Sequence, residues 1–217
     1  MKMGNSPFAR LQLFRNPFGE LTRAERAELA LIDVTACLSW LTHERAALQI
    51  IGPCGHGKTT HLLAIECRLP RSAYVYFPED GAQPPLPAIR PLLVDEAQRL
   101  GWRRRRELLR ETGPLVISTH VDLAPKLRRA GFDVHTLDLA VPKRAVQLQS
   151  ILNSRIAASR VASDPPGTAA LESLYLTLDQ VVALQQRFGS NIRLIEHHLY
   201  EAFQRFVEKG EPWLPVS

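Results

Sequence analysis

A glycine-rich segment between an apolar run and a helical pattern is the feature of this sequence that most restricts its fold. The segment reads Gly52-Pro-Cys-Gly-His-Gly-Lys58-Thr59 and fits the pattern G-x-x-x-x-G-K-[ST]. Residues 48–51 before it form a short, mostly apolar run, and residues 61–69 after it show helical periodicity. A strand, a loop and a helix in this order predict that backbone N–H groups converge on a phosphate group at the helix N-terminus.

The residue types in this loop suit a nucleoside triphosphate that is bound together with Mg²⁺. The glycines let successive N–H groups point at phosphate oxygens, Lys58 can reach the β and γ phosphates, and the hydroxyl of Thr59 can ligate the metal. We therefore predict a site for ATP and Mg²⁺. The residues expected to hold the nucleotide are Gly52, Pro53, Cys54, Gly55, His56, Gly57, Lys58, Thr59 and Thr60.

Two later apolar runs end in polar residues that suit the same chemistry. Residues 92–94 lead into Asp95 and Glu96, and we expect Asp95 to hold the metal and Glu96 to polarise the attacking water. A further run ends in a Ser-Thr-His cluster that contains Thr119. The carboxyl ends of parallel strands form the ligand edge of a sheet, so Thr119 either contacts the γ-phosphate or the water, or merely caps its strand.

Short apolar runs alternate with helical stretches before residue 140, which predicts an α/β fold with a parallel sheet. The expected strands are residues 48–51, 73–77, 92–94, 115–118 and 134–139. The expected helices are one or two within 21–41, then 61–69, 99–110, 123–130, 143–159, 178–188 and 192–207.

The order of these elements predicts two domains of the P-loop NTPase type. Residues 1–140 would form the nucleotide-binding α/β domain, and residues 141–217 would form a helical lid with a turn at 162–168. Residues 78–90 contain four prolines, so we expect a loop there instead of the usual crossover helix.

Composition restricts the compartment and the partners. The formal net charge of +5 suits phosphate-bearing partners, and the three cysteines lack the spacing of a zinc site or a disulfide framework. The most apolar N-terminal stretch, residues 27–41, is too short and too charged to span a bilayer. We therefore expect a cytoplasmic protein without membrane contact.

The order of the motifs resembles that of the AAA+ ATPases. The loop at residues 52–59 matches the Walker A motif, Asp95 and Glu96 match Walker B, and Thr119 stands at the position called sensor 1. This resemblance implies an ATPase with an α/β nucleotide domain and a helical lid.

Two arginine assignments also follow from the resemblance. The segment Gly189-Ser-Asn-Ile-Arg193 is similar to the sensor 2 signature, which implies that Arg193 reaches the nucleotide. In such families a trans-acting arginine finger ends the helix before the fifth strand, which implies Arg128 or Arg129. A finger supplied by a neighbouring copy implies a homo-oligomer.

A narrower resemblance is to the small ExeA-like and TnsC/TniB-like ATPases, carried by Asn16-Pro17-Phe18 and by residues 95–100. It implies an ATP-driven switch that oligomerises on DNA or on a nucleic-acid-processing partner. Two alternatives stay open: a regulatory ATP-binding adaptor with little turnover, and a remodelling ATPase that acts on proteins. The arginines at 103–106 are either phosphate contacts or a solvated helix end. No aromatic-stacking motif is recognisable, so we expect any DNA contact to be directed at the backbone.

Overall fold

The computed structural model describes residues 7–161 and 173–214. The chain separates into two compact units, one from Arg23 to Val141 and one that combines Met1–Thr22 with Pro142–Ser217. The first is called the sheet unit and the second the helical unit. The turn expected at residues 162–168 lies outside the described residues.

The sheet unit is built on a five-stranded parallel sheet, which confirms the predicted α/β fold. The strands are β1 (Ala46–Ile51), β2 (Ala73–Tyr76), β3 (Leu92–Asp95), β4 (Leu115–Thr119) and β5 (Asp133–Asp138). Their order across the sheet is β2-β3-β4-β1-β5. Strand β1 pairs with both β4 and β5, and its first five residues are buried. The loop that follows β1 therefore starts from the middle of the sheet.

Helices pack against the sheet in two separate cores. They are α1 (Arg23–Glu28), α2 (Thr35–Trp40), α3 (Lys58–Glu66), α4 (Trp102–Arg110) and α5 (Ala124–Arg129). Leu48 and Ile50 belong to the core that contains residues of α2 and α3, whereas Ala47 belongs to the core that contains residues of α4 and α5. This alternation is what the two-residue period of a strand requires.

Residues 78–90 contain no helix or strand, as the prolines predicted. Side chains attach this loop to the short 3₁₀ turn at Ala97–Arg99, which follows β3. Arg99 pairs with Glu79 at 3.1 Å, and the backbone N–H of Gly101 donates to Oε1 of Gln83 at 3.0 Å. The crossover from β2 to β3 is thus positioned without a helix.

The helical unit contains the three helices expected after residue 142. They are α6 (Ala145–Ala158), α7 (Leu178–Phe188) and α8 (Ile192–Lys209). Thr177 caps α7 by accepting a hydrogen bond from the N–H of Gln180, and Asn191 caps α8 in the same way. Within the residues that the structure describes, no helix is long and apolar enough to cross a membrane.

The N-terminal residues group differently from our expectation. We expected residues 1–140 in one domain, but the segment up to Thr22 groups with the helical unit. The physical reason is burial, because Leu13 and Phe18 are 1% and 4% exposed in the core of that unit. The ring of Phe18 stacks on Trp213 with centroids 5.8 Å apart. The N-terminal segment therefore contributes buried residues to the core that the C-terminal helices form.

A buried arginine on α6 binds this segment through its backbone. Arg155 is 5% exposed, and its Nε donates to the carbonyl oxygen of Pro17 at 3.0 Å. The same guanidinium donates to the carbonyl of Gly19 and pairs with Glu196 on α8. Nδ2 of Asn16 donates to the carbonyl of Tyr200 at 3.1 Å. The Asn-Pro-Phe turn is therefore fixed by hydrogen bonds as well as by apolar packing.

We predict that Arg155→Ala destabilises the helical unit by about 3 kcal/mol, because it leaves two carbonyls without a donor and a half-buried carboxylate without its cation. The free energy of unfolding in urea, followed by circular dichroism, measures the loss. Arg205→Ala is the matched control, since the side chain of Arg205 is 43% exposed and its Nε lies 3.6 Å from Oε2 of Glu211, which is also exposed. Equal effects of the two substitutions would contradict the role given to Arg155.

Candidate functional site

The candidate site lies at the carboxyl edge of the sheet, where β3 and β4 end in polar residues beside the loop that follows β1. Ile51 at the end of β1 pairs with Thr119 at the end of β4, and the N–H of Gly52 donates to the carbonyl of Thr119 at 3.3 Å. Asp95 ends β3, which pairs with the other side of β4. The sheet register alone thus places the glycine-rich loop near both later polar clusters.

The loop from residue 52 to 57 turns the chain from β1 into α3. Gly55 and Gly57 have φ angles of 81° and 90°, a region that side chains rarely adopt. A Cβ at Gly52 would lie 3.0 Å from Cβ of Leu139, so this glycine allows close packing against the chain after β5. Lys58 is the first residue of α3. The backbone therefore has the strand-loop-helix form that a phosphate-binding loop requires.

The remaining loop residues are more exposed than the glycine and lysine that flank them. Pro53 and Cys54 are exposed, His56 and Thr60 are half-buried, and Nδ1 of His56 lies 3.1 Å from the carbonyl oxygen of Cys54. The loop thus presents an accessible surface at this edge of the sheet.

Lys58 is buried against the loop that precedes it. Its Nζ donates to the carbonyl oxygens of Gly52 at 3.0 Å and Pro53 at 3.1 Å, and it lies 3.2 Å from Nε2 of His120. The residue is 5% exposed. These contacts hold the ammonium group within the loop, next to the residue that follows β4.

Asp95 is the centre of a hydrogen-bond cluster. Its Oδ2 accepts from Oγ1 of Thr59 at 2.9 Å and from the hydroxyl of Tyr74 at 2.7 Å, and its Oδ1 accepts from Oγ of Ser118. Asp95 is 1% exposed. Burial and the negative charge of Asp95 raise the pKa of Tyr74, so the phenol stays protonated and acts as a donor. The cluster joins α3, β2, β3 and β4.

Thr59 and Asp95 offer a hydroxyl and a carboxylate oxygen at one point, which are the ligand types that Mg²⁺ prefers. The 2.9 Å contact between their oxygens fits a shared metal site with phosphate oxygens and waters as the further ligands. Within the described residues there is no group of three or more His, Cys, Asp or Glu side chains that could hold a metal ion.

Glu96 is held in an uncommon backbone conformation beside this cluster. Its φ and ψ angles are 62° and 46°, and its N–H donates to Oγ of Ser118 at 3.0 Å. Its Oε2 accepts from Nε2 of Gln98 at 2.6 Å and lies 3.3 Å from Nε2 of His120. Nε of Arg99 lies 3.5 Å from the same oxygen, so three neighbouring side chains position the carboxylate, which is 13% exposed at the ligand edge.

His120 and Gln98 are site residues that the sequence reading missed. His120 lies between Nζ of Lys58 and Oε2 of Glu96, and its own N–H donates to Oε1 of Gln98 at 3.3 Å. The available signal for His120 was its place directly after β4 at the ligand edge. Thr119, the expected sensor, is fully buried, and its hydroxyl is hydrogen-bonded to the backbone of Val121.

The three arginines expected from the resemblance lie in two units. Arg128 and Arg129 are exposed at the end of α5 in the sheet unit, and Arg128 donates to the carbonyl of Val134 at 3.2 Å. Arg193 is the second residue of α8 in the helical unit. The nucleotide contact expected of Arg193 remains a prediction.

We predict that Tyr74→Phe lowers the free energy of unfolding by about 1 kcal/mol, because it removes one donor to a buried carboxylate. The substitution keeps the ring and therefore its contact with Arg23, whose Cζ lies 4.0 Å from the ring centroid. Tyr76→Phe is the control, since Tyr76 is 48% exposed and its hydroxyl accepts a hydrogen bond from Arg99 at 3.2 Å instead of donating to a buried carboxylate. An equal loss in the free energy of unfolding for both variants, measured by urea denaturation, would show that the hydrogen bond from Tyr74 to Asp95 contributes nothing specific to stability.

Comparison with known proteins identifies the fold. No family model and no curated protein matches the sequence. The crystal structure of Cdc6p from Pyrobaculum aerophilum, an AAA+ P-loop ATPase, matches with a TM-score of 0.54 and 15% identity. The match covers 94% of this chain and 66% of that one.

The RuvB Holliday junction branch migration motor of Thermotoga maritima matches with a TM-score of 0.49 and 17% identity, over 89% of this chain and 64% of RuvB. The chain thus spans slightly less than two thirds of each of these relatives. The match to Cdc6p, the strand order and the loop between β1 and α3 together show that the chain has the fold of the AAA+ P-loop ATPases.

Proposed function

We propose that the protein is a Mg²⁺-dependent ATPase that works as an oligomeric switch on DNA or on a nucleic-acid-processing partner. One observation carries the ATPase part: Thr59 shares a hydrogen bond with Asp95, while Lys58 and Glu96 both lie next to His120. The groups needed for phosphate binding, metal binding and water activation are therefore adjacent.

Each group has one role in this proposal. The N–H groups of residues 52–59 bind phosphate oxygens, and Lys58 turns from its carbonyl partners to the β and γ phosphates. Thr59 and Asp95 would hold Mg²⁺, which would supply positive charge next to the phosphate oxygens. Glu96 accepts a hydrogen bond from the attacking water and orients it.

Gln98 and His120 act as positioning residues for Glu96. Both have a nitrogen within 3.3 Å of Oε2 of Glu96, and neither role requires contact with the nucleotide. Holding the carboxylate in one orientation reduces the reorganisation needed when the water is activated. Thr119 supports this arrangement through the turn that carries His120.

We predict that Lys58→Ala abolishes ATP binding, whereas Glu96→Gln keeps binding and lowers kcat by roughly a hundredfold or more. The first substitution removes the charge directed at the phosphates, and the second removes the base while keeping its shape. Calorimetric titration with ATP and a phosphate-release assay measure the two effects separately.

Lys209→Ala and Glu44→Gln are the matched controls for these substitutions. Both residues are exposed, and each control makes the same chemical change at a residue that belongs neither to the glycine-rich loop nor to the Asp95 cluster. Normal turnover by the Glu96→Gln protein would reject the role given to Glu96, and normal binding by the Lys58→Ala protein would reject the phosphate site.

The oligomeric part of the proposal depends on an arginine that completes the site of a neighbouring copy. Arg129 is the better candidate, because Arg128 already donates to the carbonyl of Val134. In the part of the chain that the structure describes, no hydrogen bond or ion pair involves the guanidinium of Arg129, which is exposed at the end of α5. Arg193 would contact the nucleotide of its own copy.

We predict that specific ATPase activity rises with protein concentration, because assembly supplies the missing arginine. Arg129→Ala should flatten this rise, and Arg128→Ala should retain part of it. Lys126→Ala is the control, since it removes an exposed cation from the same helix. A concentration-independent activity of the parent protein, or a rise that survives the double substitution at 128 and 129, would show that no finger acts from α5.

Exposed arginines of α4 support the nucleic-acid part of the proposal. Two of the four arginines expected at residues 103–106 are engaged within the protein. Arg104 pairs with Glu107 at 2.8 Å. Arg105 donates to the carbonyl oxygens of Gln98 and Leu100, which fixes its side chain to the turn before α4. The arginines that remain at the surface for a phosphate partner are Arg103, Arg106 and Arg110.

A further inference from the structure

One face of α4 combines an exposed aromatic ring with three exposed arginines. Trp102 is 69% exposed, and Cζ of Arg103 lies 5.2 Å from its ring centroid. Arg103, Arg106 and Arg110 stand at positions i, i+3 and i+7, which lie on one side of a helix. Arg104 and Arg105 make contacts elsewhere, so the exposed stripe consists of Arg103, Arg106 and Arg110.

The acidic residues beside this stripe are already paired with other arginines. Glu107 pairs with Arg104, and Glu111 pairs with Arg90 at 2.7 Å. Across residues 7–161 and 173–214, no ion pair involves Arg103, Arg106 or Arg110. The face therefore carries three cations in excess, which favours a polyanionic partner over an acidic side chain of the protein itself.

The stripe lines an open cleft of about 520 Å³. The residues around it are Trp102, Arg103, Arg106, Glu107, Arg110 and Glu111. Arg103 and Arg110 are separated by about 10 Å along the helix axis, which is the rise of about three stacked nucleotides. The cleft is thus long enough for contacts to more than one phosphate.

We propose that this face of α4 binds single-stranded nucleic acid, with a base stacked on Trp102 and phosphates bound by Arg103, Arg106 and Arg110. A single strand fits better than a duplex, because only an unpaired base can place its ring on an indole. Arginine beside the ring adds a cation to the stack. The inference rests on the nucleic-acid part of the proposed function and names its partner; it does not depend on hydrolysis.

The test compares binding of a labelled oligothymidine of about 20 nucleotides with binding of a duplex of equal length, by fluorescence anisotropy of the full chain. We expect the single strand to bind at least tenfold more tightly than the duplex. It should also quench tryptophan emission, and the quenching would be due to Trp102, because Trp40 and Trp213 are less exposed to a stacking base. If the strand makes three phosphate contacts, raising the salt concentration from 50 to 200 mM should weaken binding about 20-fold.

Substitutions separate stacking from charge. Trp102→Ala should weaken binding of the single strand about tenfold or more, and Trp102→Phe should restore most of it, because phenylalanine keeps an aromatic face. Arg103→Glu with Arg106→Glu should abolish binding. Arg68→Glu with Arg71→Glu makes the same change in net charge at exposed positions outside α4 and should leave binding within about threefold of the parent. Circular dichroism checks that each variant is folded.

Each outcome decides the proposal. Preference for the duplex, equal binding by the Trp102→Ala protein, or equal loss in the Arg68 and Arg71 control would overturn it. An acidic protein partner in place of nucleic acid would appear as no binding of either oligonucleotide. ATP hydrolysis without any oligonucleotide binding would overturn this inference and leave the ATPase proposal standing, whereas absent hydrolysis would count against the ATPase proposal alone.

Discussion

The carboxyl edge of the sheet depends on the hydrogen bonds that the buried carboxylate of Asp95 accepts. A buried carboxylate is stable only when donors surround it, and here the donors come from Thr59, Tyr74 and Ser118. Each donor belongs to a different element, so the carboxylate fixes the first turn of α3 relative to β2, β3 and β4. Oγ of Ser118 also accepts a hydrogen bond from the backbone N–H of Glu96, so the same cluster fixes the backbone of the residue after Asp95.

Much of the fold could be predicted from the sequence because local patterns determine it. All five strands and the helices after them appear within a few residues of their expected bounds, since buried parallel strands are short apolar runs and Gly57-Lys58-Thr59 begins a helix. The loop at residues 78–90 was predictable for the same reason, because proline restricts the backbone at its own position.

The parts that the sequence did not reveal are pairings between distant residues. Nothing local shows that Glu111 pairs with Arg90, so the acidic residues beside α4 could not be assigned to their partners. Glu107 lies within one helical turn of both Arg103 and Arg104, and the sequence does not show which of the two it pairs with. The place of His120 in the candidate site could not be predicted either, because it is set by contacts with Lys58 and Glu96. The association of Phe18 with the helical unit likewise depends on Arg155, more than a hundred residues away.

The attachment of Asn16 to Tyr200, 184 residues later, has a consequence for biosynthesis. A ribosome that adds 5 to 20 residues per second needs about 10 to 40 s to make that interval. All strands of the sheet unit lie between residues 46 and 138, so this unit has its complete sequence long before the helical unit does. Leu13 and Phe18 stay without their core throughout that time, so these apolar residues are open to a chaperone at the ribosome until the C-terminal helices are made.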